Sequence, residues 1–189
     1  LVRLRDKILT ALVEDGVVAE LHCDEEKRAS LLGNIYVGKV RNLVPNIQAA
    51  FIEVENHIQC YYSLADNREP IYTKKGNPGK MAVGDELLVQ VCRENLKSKP
   101  PAVSSNLNFT GNYAVLTTGN RSIGLSSKLS GEEKRTLREW LKPYEDPRFG
   151  FIIRTNAREV SRETFCREVE ILISHYERLM STAPYRTCF

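Results

Sequence analysis

An α+β chain with a small five-stranded barrel in its middle is the fold class this sequence predicts, and three observations carry it. Residues 35–54 alternate apolar and polar positions on either side of a Pro45-Asn46 break, the signature of two antiparallel strands. Residues 86–93 alternate again after a long polar loop. Past Asn106 the apolar spacing lengthens to three and four residues, the helical period.

The bulk properties allow such a chain. Its 189 residues suit one medium domain or two small ones, and 42% hydrophobic content can build a packed core. A net charge of +3 is too mild to declare a nucleic-acid partner. Its distribution is uneven: five basic residues against seven acidic in 1–32, nine against seven in 33–105, and thirteen against ten in 106–189. Positive excess therefore begins with the barrel. Five widely spaced cysteines, Cys23, Cys60, Cys92, Cys166 and Cys188, form no C-x-x-C pair, so a reduced cytoplasmic setting and no metal site are expected. No apolar run approaches the roughly 20 residues of a membrane span, and no secretory signal is expected. The first residue, Leu1, and the bare final stretch read as a piece of something longer.

In chain order, residues 1–13 and 17–23 are two strand-like runs joined at Glu14-Asp15-Gly16, a first β-hairpin. An acidic link follows, and Gly33 to Val54 supplies the next hairpin, with Phe51 in the register of Ile47 and Ala49. His57 to Leu64 is a third strand. Residues 65–84, with Lys74, Lys75 and Lys80 among prolines and glycines, read as an irregular loop. Glu86 to Arg93 and Ala102 to Asn106 complete five short strands, which is what an OB-fold needs. Tyr113 to Thr118 and Phe149 to Arg154 then flank a helix opened by the capping box Ser130-x-x-Glu133 and ended by Pro143. A last helix over Ser161 to Met180 keeps Phe165, Val169, Leu172, Ile173, Tyr176, Leu179 and Met180 on one face.

Phe51 and Tyr61 fall ten residues apart across a short turn, so an antiparallel pair can set them side by side. Two adjacent rings are either core or a stacking surface for bases, and the alternation alone leaves both open. Lys97 and Lys99, stiffened by Pro100-Pro101, are either solvated or paired with phosphates.

Gly33-Asn34-Ile35-Tyr36-Val37-Gly38-Lys39-Val40, Gln48-Ala49-Ala50-Phe51-Ile52-Glu53-Val54, Gly111-Asn112-Tyr113-x-Val115-Leu116, Ile123-Gly124-Leu125-Ser126 and Gly150-Phe151-Ile152-Ile153-Arg154-Thr155 occur in the order of the N-terminal half of the ribonuclease E/G family. The chain resembles that family over nearly its whole length. The resemblance implies that 1–32 are the first strands of an RNase H-like subdomain, 33–105 an inserted S1-type OB-fold, and 106–189 a sensor for an RNA 5′ end. By position, it implies that Phe51, Tyr61 and Lys99, with Lys39 and Lys97, contact single-stranded RNA. It further implies that Arg154 and Thr155 bind a 5′-monophosphate in a pocket lined by Gly111 and Val115. Three departures weaken end recognition: Ser127 in place of a basic residue, Pro100 in place of a glycine, and Asn156-Ala157-Arg158-Glu159 in place of a glycine-bearing turn, where Arg158 is a substitute charge.

For the whole protein the resemblance implies a cytoplasmic endoribonuclease, Mg²⁺ held by aspartates of a later domain, and a homo-oligomer assembled through that C-terminal part. The chain by itself is then expected to hold RNA and not to cut it. A non-catalytic RNA-binding module, ribosome-associated or regulatory, and an OB-fold for oligosaccharides or proteins are the other classes open to such a sequence.

Overall fold

The computed structural model of the chain describes residues 2–4, 7–14, 17–25, 30–76, 78–95 and 99–185. They divide into two compact units, Leu1–Leu31 and Leu32–Phe189.

The first unit is an antiparallel sheet of β1 (Val2–Leu4), β2 (Lys7–Glu14) and β3 (Val17–Glu25) in that order. The run that alternation joins over 1–13 is two strands: Leu4 pairs with Lys7, so the chain doubles back between them. Glu14 pairs with Val17 to close the expected hairpin, whose turn residues lie outside the described set. Leu12, Val13, Val17, Val18 and Leu21 are all more than half exposed. Three strands alone offer little to bury such side chains.

The barrel comprises β4 (Ile35–Val44), β5 (Ala49–Val54), β6 (Ile58–Ser63), β8 (Glu86–Arg93) and β9 (Ala102–Ser104), and a short β7 (Tyr72–Lys74) lies along β8. The strands run β4-β5-β6-β9-β8, and β8 closes on β4. The β6–β9 pairing is parallel and the rest antiparallel. Alternate residues point inward, so Tyr36, Val40, Ile52, Tyr62, Leu87 and Val91 are buried together. Burial of the Tyr62 hydroxyl requires a partner. It donates to Ser105 Oγ at 3.0 Å, which donates to the Leu88 carbonyl at 3.0 Å, and desolvation pushes the phenol up to about 12. Two expectations are corrected. Ile47 belongs to a helical turn, Pro45–Ile47, so Phe51 shares its register with Ala49 and not with Ile47. The irregular 65–84 loop contains β7, whose three residues are stabilised by pairing with distant β8, a contact no local pattern reveals.

The following sheet orders β10 (Asn108–Thr110), β11 (Ala114–Thr117), β13 (Gly150–Ile153) and β12 (Ile123–Leu125), with β12 parallel to β13. Helix α1 (Gly131–Leu141) opens on the expected capping box: Ser130 Oγ accepts from Glu133 N at 3.2 Å, and Glu133 accepts from Ser130 N at 2.7 Å. Helix α2 (Arg162–Thr182) is capped by Ser161. Phe165, Val169, Leu172 and Tyr176 of α2 pack with Leu116, Phe151 and Ile153 on one face of the sheet. The end of α2 and the residue that follows it leave that core: Leu179 and Ala183 pack with Ile35, Leu88 and Leu107, so barrel and helix share buried surface. Gln90 of β8 ties the same seam, donating to the Asn108 carbonyl and accepting its N–H at 3.0 and 2.7 Å. No helix among the described residues is long and apolar enough to cross a membrane.

Candidate nucleic-acid interface

Alternation settles which way the rings of β5 and β6 face. Ala50, Ile52 and Val54 fill the barrel with Cys60 and Tyr62, which leaves Phe51 and Tyr61 outside. The two are direct cross-strand partners, with centroids 6.5 Å apart and planes at 79°. Such an edge-to-face pair contributes about 0.5–1.5 kcal/mol beyond burial. Both rings stay half-buried, so they present two perpendicular faces in place of one flat platform. Across β9, Tyr61 pairs with Ala102, and Ala102 pairs with Arg93 of β8. One row on that side of the strands therefore runs Asn42, Phe51, Tyr61, Ala102, Arg93, with Ala102 buried in its middle.

The predicted cations are placed unequally. Lys99 is exposed two residues before Pro101, whose carbonyl accepts the Tyr61 N–H at 2.8 Å, and so stands beside the row. Lys97 lies outside the described residues. Lys39 faces outward opposite Glu53, and its Nζ is 3.8 Å from Glu86. Glu53 in turn binds Arg41 at 2.7 Å, which holds its carboxyl below the usual carboxylate range. This corner of the face is thus charge-balanced. Sequence reasoning passed over Arg41 and Arg93. Each sits at a register shift, Arg41 between Val40 and Asn42 and Arg93 after Val91, and a bulge redirects a side chain in a way simple alternation does not foretell.

The second cluster forms at one end of the β11–β13 sheet. Ile153 and Phe151 point to the helices, so Val115 and its partner Ile152 face the other way, with Ile152 46% exposed. Arg154 continues the open face and is exposed. Its main-chain N–H donates to Tyr113 O at 2.8 Å and its Nη1 to Gly111 O at 2.9 Å. Thr155 is half-buried, its hydroxyl 3.1 Å from that of Ser126. Arg154, Thr155, Gly111 and Val115 are therefore brought together, with Ser126 as an added hydroxyl. One guanidinium nitrogen holds Gly111; the others keep the fork that suits planar anion recognition. Arg158 turns away from this group: it pairs with Glu159 at 3.7 Å and lines a cavity with Ser130, Glu133 and Trp140.

Glu168 of α2, unmarked in the sequence, shapes the same cluster. Its carboxylate accepts from the main-chain N–H groups of Asn112, Tyr113 and Ala114 at 2.8, 2.7 and 3.0 Å. A Cβ on Gly111 would come within 2.5 Å of that carboxylate, so any larger residue there displaces Glu168. Glu168 thereby fixes the turn whose carbonyl orients Arg154. Removing a charged acceptor costs about 1.5–3 kcal/mol. Glu168→Ala is accordingly expected to lower the melting temperature and weaken any 5′-end preference, both measurable on one purified variant.

Among the described residues no three His, Cys, Asp or Glu side chains converge to hold a metal ion.

Residues 108–187, the stretch holding the Arg154 cluster, match the model of the ribonuclease E/G family. Ribonuclease G of Haemophilus influenzae is 28% identical over 173 residues, covering 86% of this chain and 35% of that protein. Ribonuclease G of Salmonella typhimurium is 27% identical over 184 residues, covering 90% and 37%. Ribonuclease E of Synechocystis is 28% identical over 160 residues, covering 82% and 24%. The chain thus spans little more than a third of the length of the Ribonuclease G relatives. These similarities run through the barrel as well as the region the family model matches, so the chain is similar to ribonuclease E/G proteins over most of its length.

Proposed function

We propose that this chain is the RNA-gripping, 5′-end-sensing part of a single-strand-specific endoribonuclease of RNA processing and decay. One observation carries the reading: a single compact unit holds both an outward aromatic pair and an arginine–hydroxyl cluster suited to a terminal phosphate. Phe51 and Tyr61 stack bases without regard to sequence, since every base has a π-face. Lys99 pairs with the backbone beside them, while Lys39 and Lys97 add to the field along the strand. Arg154, Thr155, Gly111 and Val115 take the 5′-monophosphate. Fastening one end raises the effective concentration of the rest of the strand at the cutting site without altering the chemistry of the cut.

Residues 1–32 act as the opening strands of an RNase H-like subdomain, a reading favoured by the exposed Leu12, Val13, Val17, Val18 and Leu21. Cleavage belongs to a part of the protein outside the described residues, where Mg²⁺ would activate water. The whole protein works as a cytoplasmic homo-oligomer.

The test is anisotropy titration of one RNA sequence ending in 5′-monophosphate, 5′-hydroxyl or 5′-triphosphate. A charge-assisted bond of about 1.5–3 kcal/mol predicts that the monophosphate binds about 10- to 150-fold tighter than the hydroxyl, and that Arg154→Ala erases the difference. Equal affinities in the wild type would overturn the sensor.

A further inference from the structure

The strands that carry the aromatic pair run on into a cavity of about 720 Å³, a size typical of small-ligand sites. Leu43, Leu64, Tyr72 and Met81 are among the residues that line it. Gln48 lies three residues before Phe51 and Leu64 three after Tyr61, joined where Leu64 N donates to Gln48 O at 2.8 Å. At a rise of about 3.3 Å per residue the cavity begins about 10 Å from the rings and around the barrel rim: Leu43 pairs with the buried Ala50 and so lies on the inner side, while Phe51 and Tyr61 face outward.

Its charge has one sign. Arg68, Lys75 and Lys80 line it, and none of its described lining residues is a carboxylate. Lys75 is engaged: its Nζ lies 4.2 Å from the Tyr72 ring centroid and donates to Gly79 O at 2.5 Å. Arg68 and Lys80 are exposed. The segments bearing them are pinned from beneath by two buried polar residues. Asn67 donates to Ser63 O at 2.7 Å and accepts from Ser104 Oγ at 2.6 Å and Ser105 N at 2.8 Å, which fixes the chain just before Arg68. Asp85 accepts from Gly76 N and Ala82 N, both at 2.9 Å, which fixes both ends of the segment bearing Lys80. An apolar and aromatic recess rimmed by prearranged, unopposed cations matches a flat base with a phosphate attached.

We propose that this cavity is a nucleotide site that takes the part of the strand that turns over the barrel rim from Phe51 and Tyr61. The base enters between Leu43, Leu64 and Met81, and Arg68 and Lys80 pair with flanking phosphates. The proposal rests on the RNA-gripping reading, and the experiment separates the two.

Affinity for a 5′-hydroxyl oligoadenylate is measured against salt for wild type, Phe51→Ala and the double variant Arg68→Ala/Lys80→Ala. Two lost phosphate contacts make the slope of log K on log salt about 1.4 shallower in the double variant, so raising salt from 50 to 200 mM costs it about sevenfold less affinity than it costs wild type. Phe51→Ala weakens binding with its slope intact. An unchanged slope in the double variant, with Phe51→Ala still weakened, overturns the cavity proposal and keeps the gripping reading. No effect in either variant overturns both. AMP provides the second arm: competition with RNA in wild type but not in the double variant supports the strand site. AMP binding that leaves RNA affinity untouched assigns the cavity to a free nucleotide and overturns it.

Discussion

Under the proposed reading Phe51→Ala is expected to lower affinity for a short single-stranded RNA by about 5- to 150-fold, the equivalent of about 1–3 kcal/mol for one stacked base. The same variant melts close to wild type. The ring stands outside the barrel, half-buried, in edge contact with Tyr61. About 1 kcal/mol moves the melting temperature of a chain this size by about 2–4 °C. The neighbouring residue provides the control: Ile52 is fully buried, and Ile52→Ala should cost about 2–5 kcal/mol of stability. Anisotropy and calorimetry on both variants therefore give opposite patterns. A Phe51→Ala protein that melts far below wild type yet binds RNA normally would make the ring a packing residue.

Gly150→Ala is expected to cost more than about 3 kcal/mol and, under the proposed reading, to abolish 5′-end preference. A Cβ on Gly150 would lie 2.2 Å from Asn120 O, 2.5 Å from Ser122 O and 2.8 Å from the Arg121 carbonyl carbon. All three are main-chain atoms, so no rotamer change relieves the clash; either β13 or the 120–122 segment must move. β13 leads directly into Arg154, and β12, which 120–122 feeds, leads to Ser126. A displaced β13 thus uncouples the guanidinium from Thr155 and Ser126. Scanning calorimetry reads the first effect, at about 2–4 °C per kcal/mol, and the 5′-end comparison reads the second. An unshifted melting temperature would mean that the 120–122 segment yields freely.

Much of this architecture is legible in the residues because local and global preferences agree. The alternation through 35–54, the strand Glu86–Arg93, the Ser130–Glu133 capping box and the apolar face of α2 all recur in the fold. What escapes is stabilised from afar. β7, β10 and β12 are three residues each, too short for a period, and exist through their partners. Likewise, nothing near Glu168 announces that it captures three amide groups more than 50 residues away. The adjacency of Phe51 and Tyr61 follows from register across one turn, whereas their outward orientation needs the buried Ile52 and Tyr62 to decide it. The Arg154 cluster is invisible to periodicity: an arginine after a strand is commonplace, and only the motif order of the resemblance singles it out.

The core that Leu179 and Ala183 share with Ile35, Leu88 and Leu107 has a consequence for measurement of length. Barrel and end cluster are fused by side chains, with no tether whose slack could vary. Under the proposed reading the protein works as a caliper. A strand clasped by its 5′ phosphate has a set minimum span to cross before it meets the aromatic pair, and an RNA whose first bases are tied up in pairing is too short in effect, whatever its nominal length.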